Sequence, residues 1–144
     1  VEKYIRLLEQ SFVIRRVYSF ARNFANELKK SYKVYFLDLG VRNALVGGLE
    51  GGTHDPERGV LFESFFFAEL IKRDTQLPFP PKTYFWRTRD KKEIDFIRVD
   101  GSILQAFECK LTLQPVNFST FRKYYPDATV RVVTPDDLLR GKVG

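Results

Sequence analysis

The chain of 144 residues contains 44% apolar and 29% charged residues, a composition typical of globular domains, which excludes an intrinsically disordered segment. Its length suits one domain with a sizeable core, to which fourteen phenylalanines contribute much of the apolar volume. A formal net charge of +6 and a pI near 9.5 favour contact with polyanions, although proteins that bind no nucleic acid also carry such an excess.

Cysteine and histidine are too scarce to build a zinc site. Cys109 is the only cysteine, which excludes an internal disulfide, and His54 is the only histidine, so any metal must be bound by oxygen ligands. No apolar run reaches the roughly 20 residues that span a bilayer. No secretory leader opens the sequence, and we expect a cytoplasmic protein without a membrane partner. Because Val1 lies inside a helix-like segment, we also expect a fragment of a longer protein.

The N-terminal part of the sequence predicts short helices around two strands. Helical spacing or β-branched alternation predicts, in chain order, a helix over 1–10, a strand over 12–18, a helical turn over 23–30, a strand over 33–37 and the start of a helix over 41–46. Glycines at 47–52 and polar residues at 53–58 predict a flexible connection. These glycines lack the lysine and the preceding strand of a phosphate loop, so we expect no ATP site.

The C-terminal part predicts one long helix and a sheet. Residues 59–74 predict a helix that is apolar around most of its circumference and therefore largely buried; its apolar residues are Leu61, Phe62, Phe65, Phe66, Ala68 and Leu70. After a proline-rich stop at 78–81, we predict strands over 83–87, 93–99 and 102–111, a helix over 116–125 and a strand over 129–133. This order indicates an α/β fold, with a mixed central β-sheet flanked by helices and a small N-terminal α+β element.

A hairpin turn sets the expected register of the strands over 93–99 and 102–111. Asp100-Gly101 predicts a two-residue type I′ turn, because such a turn needs positive φ at both central positions. This turn would pair Ile97 with Leu104, Asp95 with Ala106 and Glu93 with Glu108. Asp95 and Glu108 would then be diagonal neighbours, about 7–8 Å apart, on a face that also carries Lys110. Crowded carboxylates need a nearby cation, so the pattern indicates a shared divalent metal.

Glu63 adds a further acid from the helix over 59–74. Phe67 and Leu70 are its helical neighbours, and a carboxylate among apolar side chains is costly unless it is paired or hydrogen-bonded. A simpler interpretation treats the strand acids as an ordinary exposed face that Lys110 and Lys91 neutralise. The acid on the buried helix favours the metal site over this interpretation.

Five short motifs follow one another in the order of a known family. They are 33–40 (KVYFLDLG), 59–64 (GVLFES) with 69–70 (EL), 84–88 (YFWRT), 93–96 (EIDF) and 108–110 (ECK). With Glu63 on a helix, Asp95 on one strand, and Glu108 and Lys110 on the next, the sequence resembles the PD-(D/E)xK restriction-endonuclease-like superfamily. More narrowly, it resembles the C-terminal domain of a family of prokaryotic AAA-type ATPases.

The resemblance implies a nuclease-like fold with an acidic cluster at the edge of the sheet. It implies that Asp95, Glu108 and Glu63 hold magnesium, for which manganese substitutes, and that Lys110 orients and activates the attacking water. Residues 1–37 would form a connecting helix/strand element, a remnant of a winged-helix linker, and residues 38–144 the nuclease-like domain. An ATPase core would precede the chain in the full-length protein.

Basic residues near the candidate site are candidates for phosphate contact. The group that precedes the strand over 93–99 is predicted to bind nucleic acid; its members are Arg87, Arg89, Lys91 and Lys92. A second group, at positions 15, 16, 22, 29, 30 and 33, fits solvated charge and nucleic-acid contact equally well. We expect the aromatic residues at 84, 86, 124 and 125 to pack in the core rather than stack on bases.

Three functional hypotheses follow. The first is a DNA-directed nuclease-like domain of an AAA-type ATPase; if active, it is a magnesium-dependent endo- or exonuclease. The alternative is a catalytically inactive module that binds nucleic acid or protein and targets or oligomerises the ATPase. The third is a charged cluster that stabilises the fold without a ligand. Amide substitutions of the acids would lower stability in the third case and raise it for a metal site.

Overall fold

The computed structural model describes residues 1–22, 31–45 and 55–142. Its elements, in chain order, are α1 (Glu2–Gln10), β1 (Ile14–Tyr18), β2 (Tyr32–Phe36), α2 (Leu39–Leu45), α3 (Asp55–Asp74), β3 (Lys82–Arg87), β4 (Glu93–Asp100), β5 (Ile103–Cys109), α4 (Ser119–Tyr124), β6 (Thr129–Val133) and α5 (Pro135–Leu139). The described strands form a four-stranded sheet, in the order β3-β4-β5-β6, and a separate antiparallel pair, β1-β2. The predicted α/β class, with a mixed sheet and a small N-terminal element, is confirmed.

The sheet is mixed because its last connection differs from the others. β4 runs antiparallel to β3 and β5, whereas β5 and β6 are parallel and are joined through α4. The N-terminal hairpin, formed by β1 and β2, contributes Val17 and Tyr35 to the core that contains the phenylalanines of α3. Ser19, just after β1, also bridges Phe85 of β3. The domain boundary after residue 37 stays a prediction.

Two apolar cores lie on opposite faces of the sheet. Phe96 belongs to the core beneath α3, and its chain neighbour Ile97 belongs to the core beside α4, as the alternation of a strand requires. The α3 core contains Phe62, Phe66, Phe67, Leu70, Phe85, Phe96 and Phe107; the α4 core contains Trp86, Ile94, Ile97, Ala106, Phe121 and Tyr125. Phe65 is 43% exposed, so the prediction that it is buried is wrong: the sheet covers only the inner side of α3.

Several predicted boundaries need correction. α3 starts at Asp55 instead of 59, since the first turn of a helix tolerates Pro56, which needs no N–H partner there. β5 ends at Cys109, and α4 covers only Ser119–Tyr124. The predictions for 23–30, 47–54 and His54 lie outside the described residues. None of the described helices combines the length and apolarity needed to cross a membrane.

The short helix α5 was missed, although its start has a recognisable signal. Pro135 occupies the first turn, and the Asp137 carboxylate accepts hydrogen bonds from both the backbone N–H and the hydroxyl of Thr134, at 3.0 and 2.9 Å. Threonine followed by proline and then an acid at the third helical position is a helix-start signature.

The β4–β5 hairpin has a different turn from the predicted one. Asp100 pairs with Ile103, so Gly101 and Ser102 form the loop, with Gly101 at φ +58°. Ile97 therefore pairs with Ala106, and the predicted pairing with Leu104 is wrong. Glycine takes the first central position of the turn because it adopts positive φ without strain. The register differs from the predicted one by two residues, so Ile97, Leu104 and Ala106 keep the shared face predicted for them.

A bulge interrupts the other side of β4. Tyr84 pairs with Ile97 and Trp86 with Ile94, so two steps along β3 match three steps along β4. The extra residue lies in the Asp95-Phe96 segment, where it leaves the regular ladder and changes the direction of a side chain. Asp95 therefore stands at an irregular point of a central strand.

Candidate active site

Asp95 and Glu108 lie where the two central strands leave their regular pairing. If the β4–β5 register is continued by one residue beyond the Phe96–Phe107 pair, Asp95 lies directly opposite Glu108. The predicted diagonal arrangement of these two residues is therefore wrong. The Cys109 N–H donates to Asp95 Oδ2 at 2.8 Å. The Asp95 N–H in turn reaches Glu108 Oε2 at 3.4 Å, a long contact. The carboxylate of Asp95 is thus fixed to the end of β5 by a backbone donor.

Glu108 and Lys110 form an ion pair at the end of β5. Lys110 Nζ lies 2.9 Å from Glu108 Oε1, and both side chains are partly buried. Burial disfavours the charged ammonium, but the hydrogen bond and charge of Glu108, with the charge of Asp95, outweigh burial and raise the pKa of Lys110. Lys110 therefore remains a cation at neutral pH.

Glu63 reaches the site from α3 and is held by β2. The Tyr35 hydroxyl donates to Glu63 Oε1 at 2.5 Å, and Lys33 Nζ lies 3.6 Å from the same oxygen. Lys33 also pairs with Glu93, which binds Arg87 through Nε at 2.6 Å. Burial opposes the charge on Lys33, but the hydrogen bond to Glu93 and the charge of Glu63 raise its pKa.

The charge partners on β2 were not assigned to the site by sequence reasoning. From sequence alone, Lys33 belongs to a basic group and Tyr35 only to a family motif. Their spacing carried a signal, because residues two apart share one face of a strand, and a lysine and a tyrosine facing inward need polar partners.

Burial and two neighbouring carboxylates determine the ionisation of Asp95. Burial, followed by the charges of Glu108 and Glu63, raises the pKa of Asp95 to about 7, against the opposing effects of the Cys109 N–H and Lys33. Burial and Asp95 also raise the pKa of the Cys109 thiol, so it stays neutral and packs against the α3 core. Asp95 therefore changes charge near neutral pH.

A cleft of about 350 Å³ opens beside these groups. Three candidate residues, Glu63, Asp95 and Lys110, line it, while Glu108 joins through its ion pair with Lys110. Across the described part of the chain, no three acidic, histidine or cysteine side chains converge in an arrangement that could hold a metal ion. The carboxylates of Glu63 and Glu108 are instead directed to protein donors.

A larger cleft of about 550 Å³ lies beside β1 and the end of α3. Its charged lining includes Glu9 and Arg16, which pair with each other at 2.8 Å. The other charged residues in its lining, Arg15 and Lys82, are both basic, so this cleft lacks the two carboxylates that make the smaller cleft the better candidate for chemistry.

Family comparisons cover both parts of the chain. A model described as a domain of unknown function, DUF4143, matches residues 58–140, more than half of the chain. The chain belongs to the DUF4143 family. A second model, described as the domain of unknown function DUF8612, matches residues 1–50. Glu63, Asp95, Glu108 and Lys110 fall within the DUF4143 match, whereas Tyr35 falls within the other.

This DUF4143 chain is also similar to two mycobacterial proteins, each described as an uncharacterized protein. One is from Mycobacterium bovis and one from Mycobacterium tuberculosis; each is 26% identical over 144 residues, covering 94% of this chain and 31% of the relative. The chain thus spans about a third of the length of these curated relatives. No solved structure matches it.

The predicted phosphate-binding residues of the DUF4143 domain separate into two kinds. Arg87 forms an ion pair with Glu93. Three other basic residues are exposed on the turn between β3 and β4: Arg89, Lys91 and Lys92. Hydrogen bonds from the N–H groups of Lys91 and Lys92 to Thr88, both 3.1 Å, shape this turn, and Lys91 has φ +61°. The turn presents three cations to solvent.

The aromatic residues of the DUF4143 domain serve mainly as core. Trp86 is 1% exposed and packs against Phe121, and Tyr125 is 3% exposed. The prediction of core packing is therefore confirmed for these residues. In the second basic group, Arg16 forms ion pairs with Glu2 and Glu9, a structural role.

Proposed function

We propose that this DUF4143 chain is a PD-(D/E)xK-type, restriction-endonuclease-like domain that hydrolyses phosphodiester bonds in DNA with magnesium. The observation that carries the proposal is the shared cleft, to which α3 contributes Glu63, β4 contributes Asp95, and the segment just after β5 contributes Lys110. Glu108 stands beside the cleft, paired with Lys110. This set contains both acids and a lysine, as the resemblance requires.

The oxygen donors of the cleft suit magnesium. In proteins this ion keeps several of its waters and is bound through one or two carboxylates together with substrate phosphates. Asp95 and Glu63 line the cleft and would hold the ion together with its waters, while Glu108 stays paired with Lys110. When bound, magnesium or manganese supplies positive charge for the phosphate and lowers the pKa of a bound water.

The chain's own groups supply positioning and charge. The Cys109 N–H orients the Asp95 carboxylate, and Glu108 keeps the Lys110 ammonium protonated at the cleft. From there, Lys110 would hold the attacking water or a phosphate oxygen through a charge-assisted hydrogen bond. The partly buried surroundings strengthen these interactions relative to water.

The surface charge supports a nucleic acid as the substrate. Arg89, Lys91 and Lys92 are exposed on the turn that leads into β4, and phosphate contacts from such residues give salt-dependent affinity. The relatives are about three times as long as the chain, which leaves room for the ATPase core that the family resemblance implies. We extend the proposal to a cytoplasmic ATPase that carries this domain.

A cleavage assay tests the proposal. Purified protein is incubated with magnesium or manganese and with supercoiled, linear double-stranded or single-stranded DNA. We expect cutting by the wild type and its loss in Asp95→Asn and Lys110→Ala. Matched controls are Asp127→Asn and Lys82→Ala, whose exposed side chains lie outside the cleft. Cutting that persists equally in all four variants would come from a contaminant and would refute the proposal.

One observation favours the alternative of a catalytically inactive nucleic-acid- or protein-binding module that targets or oligomerises the ATPase. Glu63 and Glu108 already have protein partners, Tyr35 and Lys110. Titration of the protein with magnesium or manganese by calorimetry separates the two functions. Binding that Asp95→Asn abolishes supports the nuclease; DNA binding without metal binding supports the module.

A further inference from the structure

We propose that Tyr35 is a positioning residue for Glu63, so that the N-terminal hairpin completes the candidate active site. The inference rests on the proposed metal-dependent function. It assigns a role to a residue that lies in the DUF8612 match, outside the part of the chain that carries the acids.

The contact between Tyr35 and Glu63 is both buried and fixed in direction. The hydroxyl donates to Glu63 Oε1 at 2.5 Å, and Tyr35 is only 6% exposed. Its ring packs on Phe67 and Phe96 with centroid distances of 4.8 and 5.4 Å. Phe67 lies one turn beyond Glu63 on α3, and Phe96 follows Asp95, so one ring contacts both elements that carry the cleft acids.

A glutamate on a helix needs such a partner to hold one position. Its side chain has several rotatable bonds, and ordering it costs conformational entropy that a directional hydrogen bond offsets. Burial and the charge of Glu63 both raise the pKa of Tyr35, so the phenol remains a neutral donor. The Tyr35 hydroxyl therefore orients the Glu63 carboxylate through a hydrogen bond and adds no charge of its own to the cleft.

Lys33 contributes charge rather than direction. Its ammonium lies 3.6 Å from Glu63 Oε1 but also pairs with Glu93, and its Nζ stands 5.2 Å from the centroid of the Phe85 ring. A cation shared between two carboxylates does not select one orientation of either. Tyr35 is the group that does.

The test is calorimetric titration with manganese or magnesium alone. Tyr35→Phe removes one oxygen and keeps the ring that packs on Phe67 and Phe96. We expect about a tenfold rise in the metal Kd, at the low end of the effect of removing a partner that orients a metal ligand. Tyr32→Phe is the matched control, because Tyr32 is 39% exposed on the same strand; its Kd should stay within about twofold.

A double-mutant cycle shows whether the hydroxyl acts through Glu63. In a Glu63→Gln background, Tyr35→Phe should change the Kd far less than in the wild type. Thermal unfolding of Tyr35→Phe checks that the fold is intact. An unchanged Kd in Tyr35→Phe, with metal binding by the wild type, would overturn this inference and leave the proposed function standing.

Two further outcomes are decisive. A loss of affinity of equal size in the wild-type and Glu63→Gln backgrounds would show a general structural effect and would overturn the role through Glu63. A wild-type protein that binds neither metal would overturn the proposed function and this inference together.

Discussion

The ionisation of Asp95 should make stability depend on pH in a way that one substitution removes. Burial, Glu108 and Glu63 raise its pKa from 3.8 to about 7. The folded protein therefore binds this proton more tightly than the unfolded chain does. Its contribution to stability is complete below pH 4 and is lost as the pH rises through 7. Asp95→Asn has no charge to lose and keeps an oxygen that accepts from the Cys109 N–H.

The magnitude follows from the shift in pKa. About three units, at about 1.4 kcal/mol each, give an upper limit near 4 kcal/mol at pH 8. The variant Asp95→Asn does not lose this contribution. The difference in unfolding free energy between Asp95→Asn and the wild type should therefore shift by several kcal/mol in favour of the variant between pH 4 and pH 8. For a chain of this length, this corresponds to a rise in Tm on the order of 10 °C at pH 8.

The assay is urea or thermal unfolding followed by circular dichroism, at pH 5 and pH 8, with EDTA to remove divalent metal. Asp127→Asn, an exposed acid, is the control and should change stability by less than about 0.5 kcal/mol at either pH. Magnesium should then stabilise the wild type but not Asp95→Asn, because a ligand stabilises the state that binds it. Lower stability of Asp95→Asn than of the wild type at pH 8 in EDTA would refute the reasoning.

Two further predictions concern other parts of the domain. Asp74 and Arg98 form a buried bidentate pair, with Nε–Oδ2 and Nη2–Oδ1 distances of 2.7 and 3.1 Å. Asp74→Ala should cost up to about 3–5 kcal/mol in urea unfolding, because it leaves the buried Arg98 guanidinium with only Gln105 at 2.7 Å and Asp100 at 3.6 Å as partners among the described residues. Glu69→Ala, in the exposed Glu69–Lys72 pair, should cost less than about 1 kcal/mol. In fluorescence anisotropy, Lys91→Ala and Lys92→Ala should each weaken DNA binding and reduce the salt slope by about 1. An unchanged slope in both would exclude this turn from the DNA interface.

The elements could be predicted from sequence better than the contacts between them. Strand and helix patterns located most elements to within a few residues, because alternation and helical spacing are local properties. The register of β4 and β5 was missed, since Asp100-Gly101 and Gly101-Ser102 both offer a glycine to a turn and sequence does not choose between them. The bulge at Asp95 was also missed, because packing against β3 determines it.

The charge partners of the site show the same limit. The proximity of Asp95, Glu108 and Lys110 followed from a single hairpin, whose residues are close in sequence. Tyr35 and Glu63 meet only because β2 and α3 share a core, across a sequence separation of 28 residues. Pairwise contacts of this kind depend on tertiary packing, to which local patterns give no access.

The buried Asp74–Arg98 pair has a consequence for how α3 sits along its own axis. Phenylalanine contacts are nonspecific, and a helix held by them alone could slide by one turn, about 5.4 Å, and still bury rings. The bidentate pair allows only one such axial position. Glu63 lies eleven residues earlier on the same helix, about 16 Å away. The Asp74–Arg98 pair at the other end of α3 thus determines whether Glu63 can contact Tyr35 and the cleft, although the pair itself contacts neither Tyr35 nor the cleft.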